Sequence, residues 1–592
     1  MTEPALADTA TLPTLVAAPL RVERPADPAP GPVVPADDPD WWRSAVIYQV
    51  YVRSFADANG DGTGDLAGVR SRLPYLRDLG IDAIWFTPWY LSPLADGGYD
   101  VADYRAIDPA FGTLSEAEAL IAEALEHGIR TIIDVVPNHV SSRHAWFEAA
   151  LAAGPGSPER ARFWFRPGRG PNGDAPPTAW PSEFKGGQTW TRVVEADGTP
   201  GEWYLHLFTA EQPDLNWDHP DVRAEHESIL RFWFDRGAAG VRIDSAALLI
   251  KDPDMPEVPA EPGPGTHPIH DRDELHDIYR AWRSVADGYP GTRVLVGEVW
   301  LQDIERFARY LRPDELHTAF NFDFMARPWD AASLRASIDA TLAAHAPVGA
   351  PATWVLSNHD VTRPVTRYGR RDSSFAFDRK RFGTPTDLEQ GRRRARAAAL
   401  LTAALPGSLY IYQGDELGLD EVEVALTEIQ DPMHLRSGGV DPGRDGCRVP
   451  LPWAGTAAPF GFSPPDAVAM PWLSQPAHWA DLTVSRQESE PRSMLQLYRD
   501  ALRIRRAEEA LGDGPLTWVA TAPDTLAFAR GNDVICITNL SSAALPLPPH
   551  RDVLLASEDV SDGHLPPDAT AWLRPDRDEP TESARRVPAD DR

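Results

Sequence analysis

Short apolar runs recur along the chain and alternate with longer stretches of helical periodicity. Eight of these runs are predicted to form strands, at 45–52, 82–87, 130–136, 240–244, 294–298, 318–322, 353–357 and 408–412. Helical patterns between and after them include 66–79, 114–127, 220–236, 392–404 and 492–511. Continuous apolar strands separated by helices are typical of a parallel sheet covered on both faces. Eight β/α units predict an α/β fold of the closed (β/α)₈ type, a TIM barrel.

The spacing of the predicted strands shows which segments lie outside the barrel. The first three strands follow one another closely, whereas roughly 100 residues separate the third from the fourth. The excess, 139–211, is rich in Gly, Pro and Trp and predicts an inserted subdomain after strand three. Short alternating runs within 513–575 predict a C-terminal antiparallel β domain. The barrel is therefore expected to comprise 41–138 and 212–512.

The two ends of the chain differ in composition from the rest. Residues 1–40 form a proline-rich leader and residues 576–592 a charged tail, and both are predicted to be disordered. The N-terminal residues show no basic region followed by an apolar stretch, and no apolar run reaches the ~18 residues of a membrane span. The sequence therefore predicts a cytoplasmic location and no membrane partner.

The charge balance limits the kind of partner. The chain has 88 acidic and 57 basic residues, a formal net charge of −31. Such a polyanion repels phosphate backbones, so nucleic-acid binding is excluded as a main role, while a small neutral substrate or a cation fits. Its two cysteines, Cys447 and Cys536, provide neither a disulfide framework nor a cysteine-rich zinc site. A monomer and a homo-oligomer both remain open.

Charged side chains stand where several predicted strands end, and in a TIM barrel these ends build the active site. The ends of strands three, four, five and seven carry two histidines, an arginine and three carboxylates: His139, His359, Arg242, Asp244, Glu298 and Asp360. Helix capping explains one such carboxylate but not the whole set. The sequence therefore predicts that these side chains converge on one mouth.

Carboxylates grouped in this way suit glycoside cleavage, whose oxocarbenium-like transition state is positively charged. One carboxylate attacks the sugar and another protonates the leaving oxygen. Arg242 and Asp244 are two residues apart on a strand and face the same side, so the guanidinium is expected to keep Asp244 ionised. The negative charge is expected to keep Glu298 protonated. These roles predict a retaining mechanism with carboxyl groups about 5–5.5 Å apart.

Four segments resemble the signatures of the α-amylase family, glycoside hydrolase family 13. They read DVVPNH (134–139), GVRIDSA (240–246), GEVW (297–300) and SNHD (357–360), in the family order. The resemblance implies that Asp244 is the nucleophile, Glu298 the acid/base, and Asp360 the group that binds sugar hydroxyls and stabilises the transition state. It also implies that His139, Arg242 and His359 line the glucose subsite.

Two further elements resemble those of exo-acting α-glucosidases. DGGYD (96–100) is similar to their D-x-G-Y element, and RDGCRVPLPW (444–453) to the element after strand eight. The resemblance implies that Asp96 pairs with Arg444 and closes the pocket behind one terminal glucose, on which Tyr99 stacks. It also places Phe165 and Phe184 at the pocket entrance. A surface turn with an exposed arginine, and ordinary core roles for the two phenylalanines, are the alternatives.

The segment 57–65 supplies oxygen ligands at alternate positions, as hard cations need. It resembles the calcium loop after strand one in this family, which implies a structural Ca²⁺ and no organic cofactor. The implied ligands are Asp57, Asn59, Asp61, the Thr63 carbonyl and Asp65. An Asp/Gly-rich turn without metal is the alternative.

The leading hypothesis is a retaining, exo-acting α-glucosidase that releases α-glucose from the non-reducing end of short, maltose-like α-glucosides. Ser245 after the nucleophile favours α-1,4 linkages, because relatives with α-1,6 preference tend to have Val there. An α-transglucosidase or glucoside isomerase, similar to trehalose synthase, is the runner-up and uses the same intermediate. A third hypothesis is a non-catalytic subunit associated with a transporter. It predicts that a catalytic carboxylate is missing and that a membrane anchor is present, and the sequence shows neither.

Overall fold

The computed structural model describes residues 38–576. The predicted leader, apart from its last three residues, and the predicted tail, apart from Asp576, lie outside the described residues. A parallel eight-stranded sheet forms the centre of the protein. Its strands, labelled β1 to β8, are Val46–Val50, Ala83–Phe86, Arg130–Val135, Gly240–Ile243, Val294–Gly297, Thr318–Ala319, Thr353–Val355 and Ser408–Tyr412.

The sheet closes into a barrel. Its order is β6-β5-β4-β3-β2-β1-β8-β7, with parallel pairing between neighbours. The first and last strands of this order, β6 and β7, are joined by the backbone N–H of Asn321, which donates to Thr353 O at 3.2 Å, and by contact of the Thr318 and Thr353 hydroxyls. The predicted (β/α)₈ barrel is confirmed.

Helices cover the outside of the barrel between successive strands. The longer ones are Leu114–Glu126, Pro220–Phe234, Leu275–Asp287, Ala331–His345, Leu388–Ala404 and Met494–Ala507, and shorter ones are Leu66–Ser71, Leu73–Leu79, Ile304–Arg309, Phe322–Ala326, Pro364–Tyr368, Pro432–Arg436 and Val484–Glu488. Side-chain caps fix many of the starts: Thr113 and Glu116 form a capping box at the first long helix. The buried faces of the barrel helices pack against the strands in one continuous core.

Two elements differ from the sequence prediction for identifiable reasons. The helix predicted over 66–79 is two helices that break at Arg72, because Pro74 in the first turn of the second helix has no N–H to donate to the first. The strand predicted over 318–322 ends at Ala319, because the Asn321 side chain caps the following helix by accepting from Phe324 N.

Two smaller units accompany the barrel. After β3, a helix at Ala145–Ala153 and an antiparallel sheet of Phe165–Arg166, Trp190–Val194 and Pro200–Leu205 form the inserted subdomain. After the last barrel helix, a five-stranded antiparallel sheet contains Leu516–Trp518, Thr525–Arg530, Val534–Asn539, Asp552–Ala556 and Ala569–Arg574. The predicted C-terminal β domain is confirmed. Within 38–576, no helix is both long and apolar enough to cross a bilayer.

Candidate active site

The C-terminal ends of β3, β4 and β5 bring an arginine and three carboxylates together. Arg242, in β4, is almost fully buried, and its Nη1 lies 3.0 Å from Asp134 Oδ1 and 2.8 Å from Asp244 Oδ1. Its Nη2 lies 2.6 Å from Glu298 Oε2. One guanidinium therefore contacts both predicted catalytic carboxyl groups, through different nitrogens.

The backbone after β4 also holds these two carboxyl groups. Ser245 has φ of 46°, the left-handed region that residues with a side chain rarely adopt. In this conformation its N–H donates to Glu298 Oε2 at 3.0 Å, and its hydroxyl donates to Asp244 Oδ2 at 2.9 Å. Trp300 Nε1 donates to Glu298 Oε1 at 3.0 Å. Strain at Ser245 thus accompanies a fixed orientation of both carboxyl groups.

Burial has a larger effect on Asp244 than its charged partner does. It raises the pKa of the Asp244 carboxyl well above the ordinary value, against the opposing effect of Arg242, and the neighbouring Glu298 and Asp134 raise it further. Burial also raises the pKa of Asp134 to about 7. The sequence predicted that the Arg242 guanidinium keeps Asp244 ionised; burial outweighs this attraction, and the depth of burial is not visible in the sequence.

Asp360, after β7, lies in a cationic environment. Arg448 Nη2 lies 2.8 Å and Arg444 Nη1 3.2 Å from its Oδ1, and His359 Nε2 lies 3.5 Å from its Oδ2. Burial alone would raise the pKa of Asp360, but the two guanidinium groups hold it well below the ordinary value. Asp360 is therefore ionised at physiological pH.

Arg444, which contacts Asp360, also contacts two other buried carboxylates. Its Nη2 lies 2.6 Å from Asp96 Oδ1, and its Nε lies 2.8 Å from Asp431 Oδ2. Gln212 Nε2 donates to the other Asp96 oxygen at 3.1 Å. Burial raises the pKa of Asp96, and Arg444 opposes this shift. The structure therefore brings Asp96 and Arg444 together as a buried ion pair and not as a surface turn and an exposed arginine.

Aromatic and histidine side chains form the floor beside the carboxylates. Tyr99 stacks on His359 with ring centroids 5.2 Å apart and planes 9° apart, and its hydroxyl donates to Asp134 Oδ2 at 3.0 Å. His139 Nε2 lies 3.0 Å from Tyr99 O. Burial lowers the pKa of His139 to about 3 and that of His359 well below its ordinary value. Both imidazoles are therefore neutral at physiological pH.

A pocket of about 260 Å³ opens between these groups. This volume is below the roughly 300–1,000 Å³ of drug-sized ligand sites. The pocket is lined by Asp96, Tyr99, His139, Glu183, Phe184, Lys185, Phe208, Asp244, Ser245, Ala247, Leu248, His270, Glu298, Trp300, His359, Asp360, Phe377, Met433 and Arg444. The lining thus combines charged side chains with apolar ones.

The two phenylalanines predicted at the entrance lie in different places. Phe184 lines the pocket and packs against Phe208, with ring centroids 5.1 Å apart. Phe165 is absent from the pocket lining and packs in the subdomain core, where its ring lies parallel to that of Phe147 at 6.1 Å. Only Phe184 is therefore placed to contact a ligand in this pocket.

The loop 57–65 carries the oxygen atoms that Ca²⁺ prefers, but its carboxylates accept backbone hydrogen bonds. Asp57 accepts from Gly60 N at 2.7 Å and from Gly62 N at 2.9 Å. Asp65 accepts from Ala58 N, Asn59 N and Gly68 N, and Asp61 from Thr63 N. Between residues 38 and 576, no three or more histidine, cysteine or carboxylate side chains form a metal-binding group. The oxygen donors of the loop are of the kind that Ca²⁺ prefers. Their carboxylates are not grouped around one point where an ion would lie. Calcium binding therefore stays a prediction.

Several residues in or beside the site were missing from the sequence prediction, and four of them contact predicted site residues through hydrogen bonds or ion pairs. They are Gln212, Trp300 in its contact with Glu298, Asp431 and Arg448. Arg448 could have been found, because it falls inside the quoted RDGCRVP element. Asp431 and Gln212 come from irregular segments without a periodic pattern, so only the three-dimensional path of the chain brings them to Arg444 and Asp96.

Two family models match the chain. The model described as alpha amylase, catalytic domain, matches residues 49–514, and one described as a domain of unknown function, DUF3459, matches 517–572. Among curated proteins, a probable alpha-glucosidase of Rhizobium meliloti (strain 1021) is 36% identical over 529 residues, which covers 86% of this chain and 90% of that protein. A trehalose-6-phosphate hydrolase of Escherichia coli (strain K12) is 34% identical, covering 86% and 92%.

Solved structures with the same architecture include transfer enzymes and isomerising enzymes. An alpha-glucosyl transfer enzyme is 34% identical with a TM-score of 0.77, covering 90% of this chain and 99% of that one. A trehalulose synthase is 30% identical with a TM-score of 0.77, covering 90% and 100%. The chain is thus similar along most of its length both to hydrolases and to enzymes of glucosyl transfer.

Proposed function

Because the chain belongs to the α-amylase family and is a glycoside hydrolase of family 13, we propose that it is a retaining, exo-acting α-glucosidase. Its substrates would be short, neutral α-glucosides of the maltose type, cleaved at the non-reducing end. The observation that carries this proposal is the Asp96–Arg444 pair at one side of a pocket that also contains Asp244, Glu298 and Asp360. A pocket of this size, bounded by a buried ion pair, has room for one terminal sugar.

The proposed reaction uses the carboxyl groups of Asp244 and Glu298, which both contact the Arg242 guanidinium. Asp244 attacks the anomeric carbon, the glycosidic bond breaks, and the leaving oxygen takes the proton of Glu298. Glu298, now ionised, removes a proton from a water molecule, whose oxygen displaces Asp244 and releases α-glucose. Contact of both carboxyl groups with Arg242, at 2.8 Å and 2.6 Å, supports the close spacing that a retaining pair requires.

The remaining charges support the transition state. Asp360 is held ionised by Arg444 and Arg448, so that a negative charge faces the oxocarbenium-like ring. Because these charged side chains are already in position before the reaction, little free energy is spent on reorienting them in the transition state.

A second candidate, an α-transglucosidase or glucoside isomerase, is favoured by the solved structures named as transfer enzyme and trehalulose synthase. It would use the same covalent intermediate, with a sugar hydroxyl in place of water. The apolar part of the lining, formed by Phe184, Phe208, Leu248, Trp300 and Phe377, would favour an acceptor with an apolar face over free water.

A phosphorylated substrate, which the name of the Escherichia coli relative implies for that protein, suits this pocket poorly. Five carboxyl groups line it, on Asp96, Glu183, Asp244, Glu298 and Asp360. Of its two cationic residues, Arg444 is engaged by three carboxylates, which leaves Lys185 for a phosphate. The proposal therefore expects a neutral leaving group.

The test is incubation with maltose, sucrose, trehalose, isomaltose and trehalose-6-phosphate, with products followed by proton NMR. The α-glucosidase proposal expects maltose to be cleaved with free glucose as the main product and the α anomer first. New disaccharides as the main product would favour the transfer alternative, and preferred cleavage of trehalose-6-phosphate would contradict a neutral substrate. A cytoplasmic location stays a prediction of the sequence.

A further inference from the structure

A second cavity, of about 380 Å³, lies beside the segment that follows the helix Pro364–Tyr368. None of the residues that line it also lines the catalytic pocket. Five cationic side chains and one carboxylate face this space, which we call the cationic cavity: Arg367, Arg370, Arg371, Arg379, Lys380 and Asp372. In a chain with a formal net charge of −31, so many cations around one small space create a local potential that attracts anions.

Two of these cations are buried without a carboxylate partner. Arg367 is 1% and Lys380 4% exposed. The Arg367 guanidinium donates to Leu356 O at 2.9 Å and lies 3.5 Å from Ser373 O, and Lys380 Nζ donates to Gly443 O. These acceptors are neutral carbonyl groups, and no carboxylate in the described part of the chain forms an ion pair with either cation. Since a buried charge without a counter-charge is destabilising, an anion in the cavity would supply what the fold lacks.

Arg370 and Arg371 offer hydrogen-bond donors that no other residue uses. Arg370 is half-buried and Arg371 exposed, and between residues 38 and 576 neither side chain has a hydrogen-bond or ion-pair partner. Burial lowers the pKa of Arg370, and the carboxylates of Glu421 and Glu423 oppose this shift. Both of these carboxylates accept backbone hydrogen bonds, and neither lines the cavity.

The one carboxylate of the lining, Asp372, is already paired. It accepts from the backbone N–H of Ser374 at 3.1 Å and from the Ser374 hydroxyl at 2.6 Å. Its other oxygen lies 3.1 Å from Arg379 Nη1. Asp372 thus compensates Arg379, and the other four cations have no carboxylate partner within the cavity.

The donors and the volume of the cavity indicate the kind of anion. Guanidinium groups bind phosphate oxygens through pairs of parallel N–H donors, which makes arginine clusters typical of oxyanion sites. The volume of about 380 Å³ lies within the roughly 300–1,000 Å³ of small-molecule sites, so it admits a phosphate ester as well as the free ion. A nucleic acid would be repelled by the net charge of the whole chain.

We propose that the cationic cavity is a binding site for one small oxyanion, either free phosphate or the phosphoryl group of a small metabolite. The site is separate from the catalytic pocket and rests on none of the proposed glycosidase chemistry. It nevertheless adjoins that pocket, because the short turn Phe377–Arg379 contributes Arg379 to the cavity and Phe377 to the catalytic pocket. A ligand held by the cavity would therefore contact a turn that also forms part of the pocket wall.

Isothermal titration calorimetry of the full chain with inorganic phosphate, at an ionic strength held constant with sodium chloride, tests the site. Wild type should bind one phosphate per chain. The double variant Arg370→Gln/Arg371→Gln, which breaks no ion pair, should bind about tenfold more weakly or worse, because hydrogen bonds to a charged group are lost. No binding by wild type, or an unchanged Kd in the double variant, would overturn the proposal.

The matched control is Lys185→Gln. Lys185 is the cation of the catalytic pocket that remains available to a phosphate, so this variant tests whether the ion binds there instead. It should bind phosphate with the Kd of wild type, and a loss of binding in Lys185→Gln would overturn the proposal. Titration with glycerol 3-phosphate, an ester without a glucose ring, distinguishes the sources. Tighter binding of the ester identifies a phosphorylated metabolite, and equal or weaker binding identifies the free ion.

A further measurement does not depend on any variant. Crystals of wild type soaked in selenate, which replaces phosphate and scatters anomalously, locate the bound anion directly. An anomalous peak in contact with Arg370 and Arg371 supports the proposal, even if the double variant fails to fold. A peak only elsewhere, or none, overturns it, and a peak in the cavity without phosphate binding in solution would mark an adventitious ion only and overturn it as well.

Discussion

Arg444 Nη2 lies 2.6 Å from Asp96 Oδ1, although the two residues are 348 positions apart in the chain. The pair connects the loop after β2 with the irregular segment after β8, and Asp431 holds the same guanidinium through Nε at 2.8 Å. Pocket closure therefore depends on a planar, forked side chain at position 444, which lysine does not reproduce.

The first prediction concerns this pair. Arg444→Lys and Asp96→Asn should each lower kcat/KM on maltose by about 100-fold, since each breaks contacts to a buried charged partner. The double variant should be little worse than either single variant, because both remove the same interaction. Losses that multiply in the double variant would show that the two residues act independently. Melting temperatures, measured alongside, identify any loss due to unfolding.

The second prediction concerns the dependence on pH. Attack requires ionised Asp244, whose pKa burial raises well above the ordinary value, with added contributions from Glu298 and Asp134. The rate should therefore fall as the pH drops through this raised pKa, at a higher pH than an ordinary aspartate, with a pKa of about 3.9, would give. Asp134→Asn removes one of the neighbouring negative charges, so the acidic limb of the kcat/KM profile should move to lower pH.

The matched control is Asp415→Asn. Asp415 is also a buried carboxyl group whose pKa burial raises to about 7, but it binds the Ser357 hydroxyl and is not among the groups that shift Asp244. This variant should leave the acidic limb in place. An acidic limb that stays fixed in Asp134→Asn, or moves to higher pH, would contradict the assignment of that limb to Asp244.

Some residues of the site follow from the order of the strands, and others depend on how the loops pack. The catalytic carboxylates could be predicted because a barrel brings the ends of its strands to one face, whatever the lengths of the loops. Asp431 and Gln212 could not be predicted, because they lie in irregular segments whose paths are decided by packing. The pKa of Asp244 could not be predicted either, since burial depends on the whole fold.

The third prediction concerns calcium. If the loop 57–65 binds Ca²⁺, adding the ion should raise the melting temperature and EDTA should lower it by several degrees, because a ligand that binds only the folded state stabilises it. Asp61→Ala should abolish the response. Asp197→Ala, which removes another exposed turn aspartate that accepts from Thr199, should retain it. A melting temperature unaffected by EDTA and by Ca²⁺ would favour the metal-free turn.

The proposed mechanism requires a covalent bond between Asp244 and glucose, and trapping of the intermediate detects this bond. A 5-fluoro-α-glucosyl fluoride carries a good leaving group, and its ring fluorine slows hydrolysis of the intermediate. The account predicts that the intact protein gains the mass of one fluoroglucosyl group, that the modified peptide contains Asp244 as the labelled residue, and that Asp244→Asn gains none. A label on a different residue, or steady release of fluoride with no labelled protein, would contradict the claim.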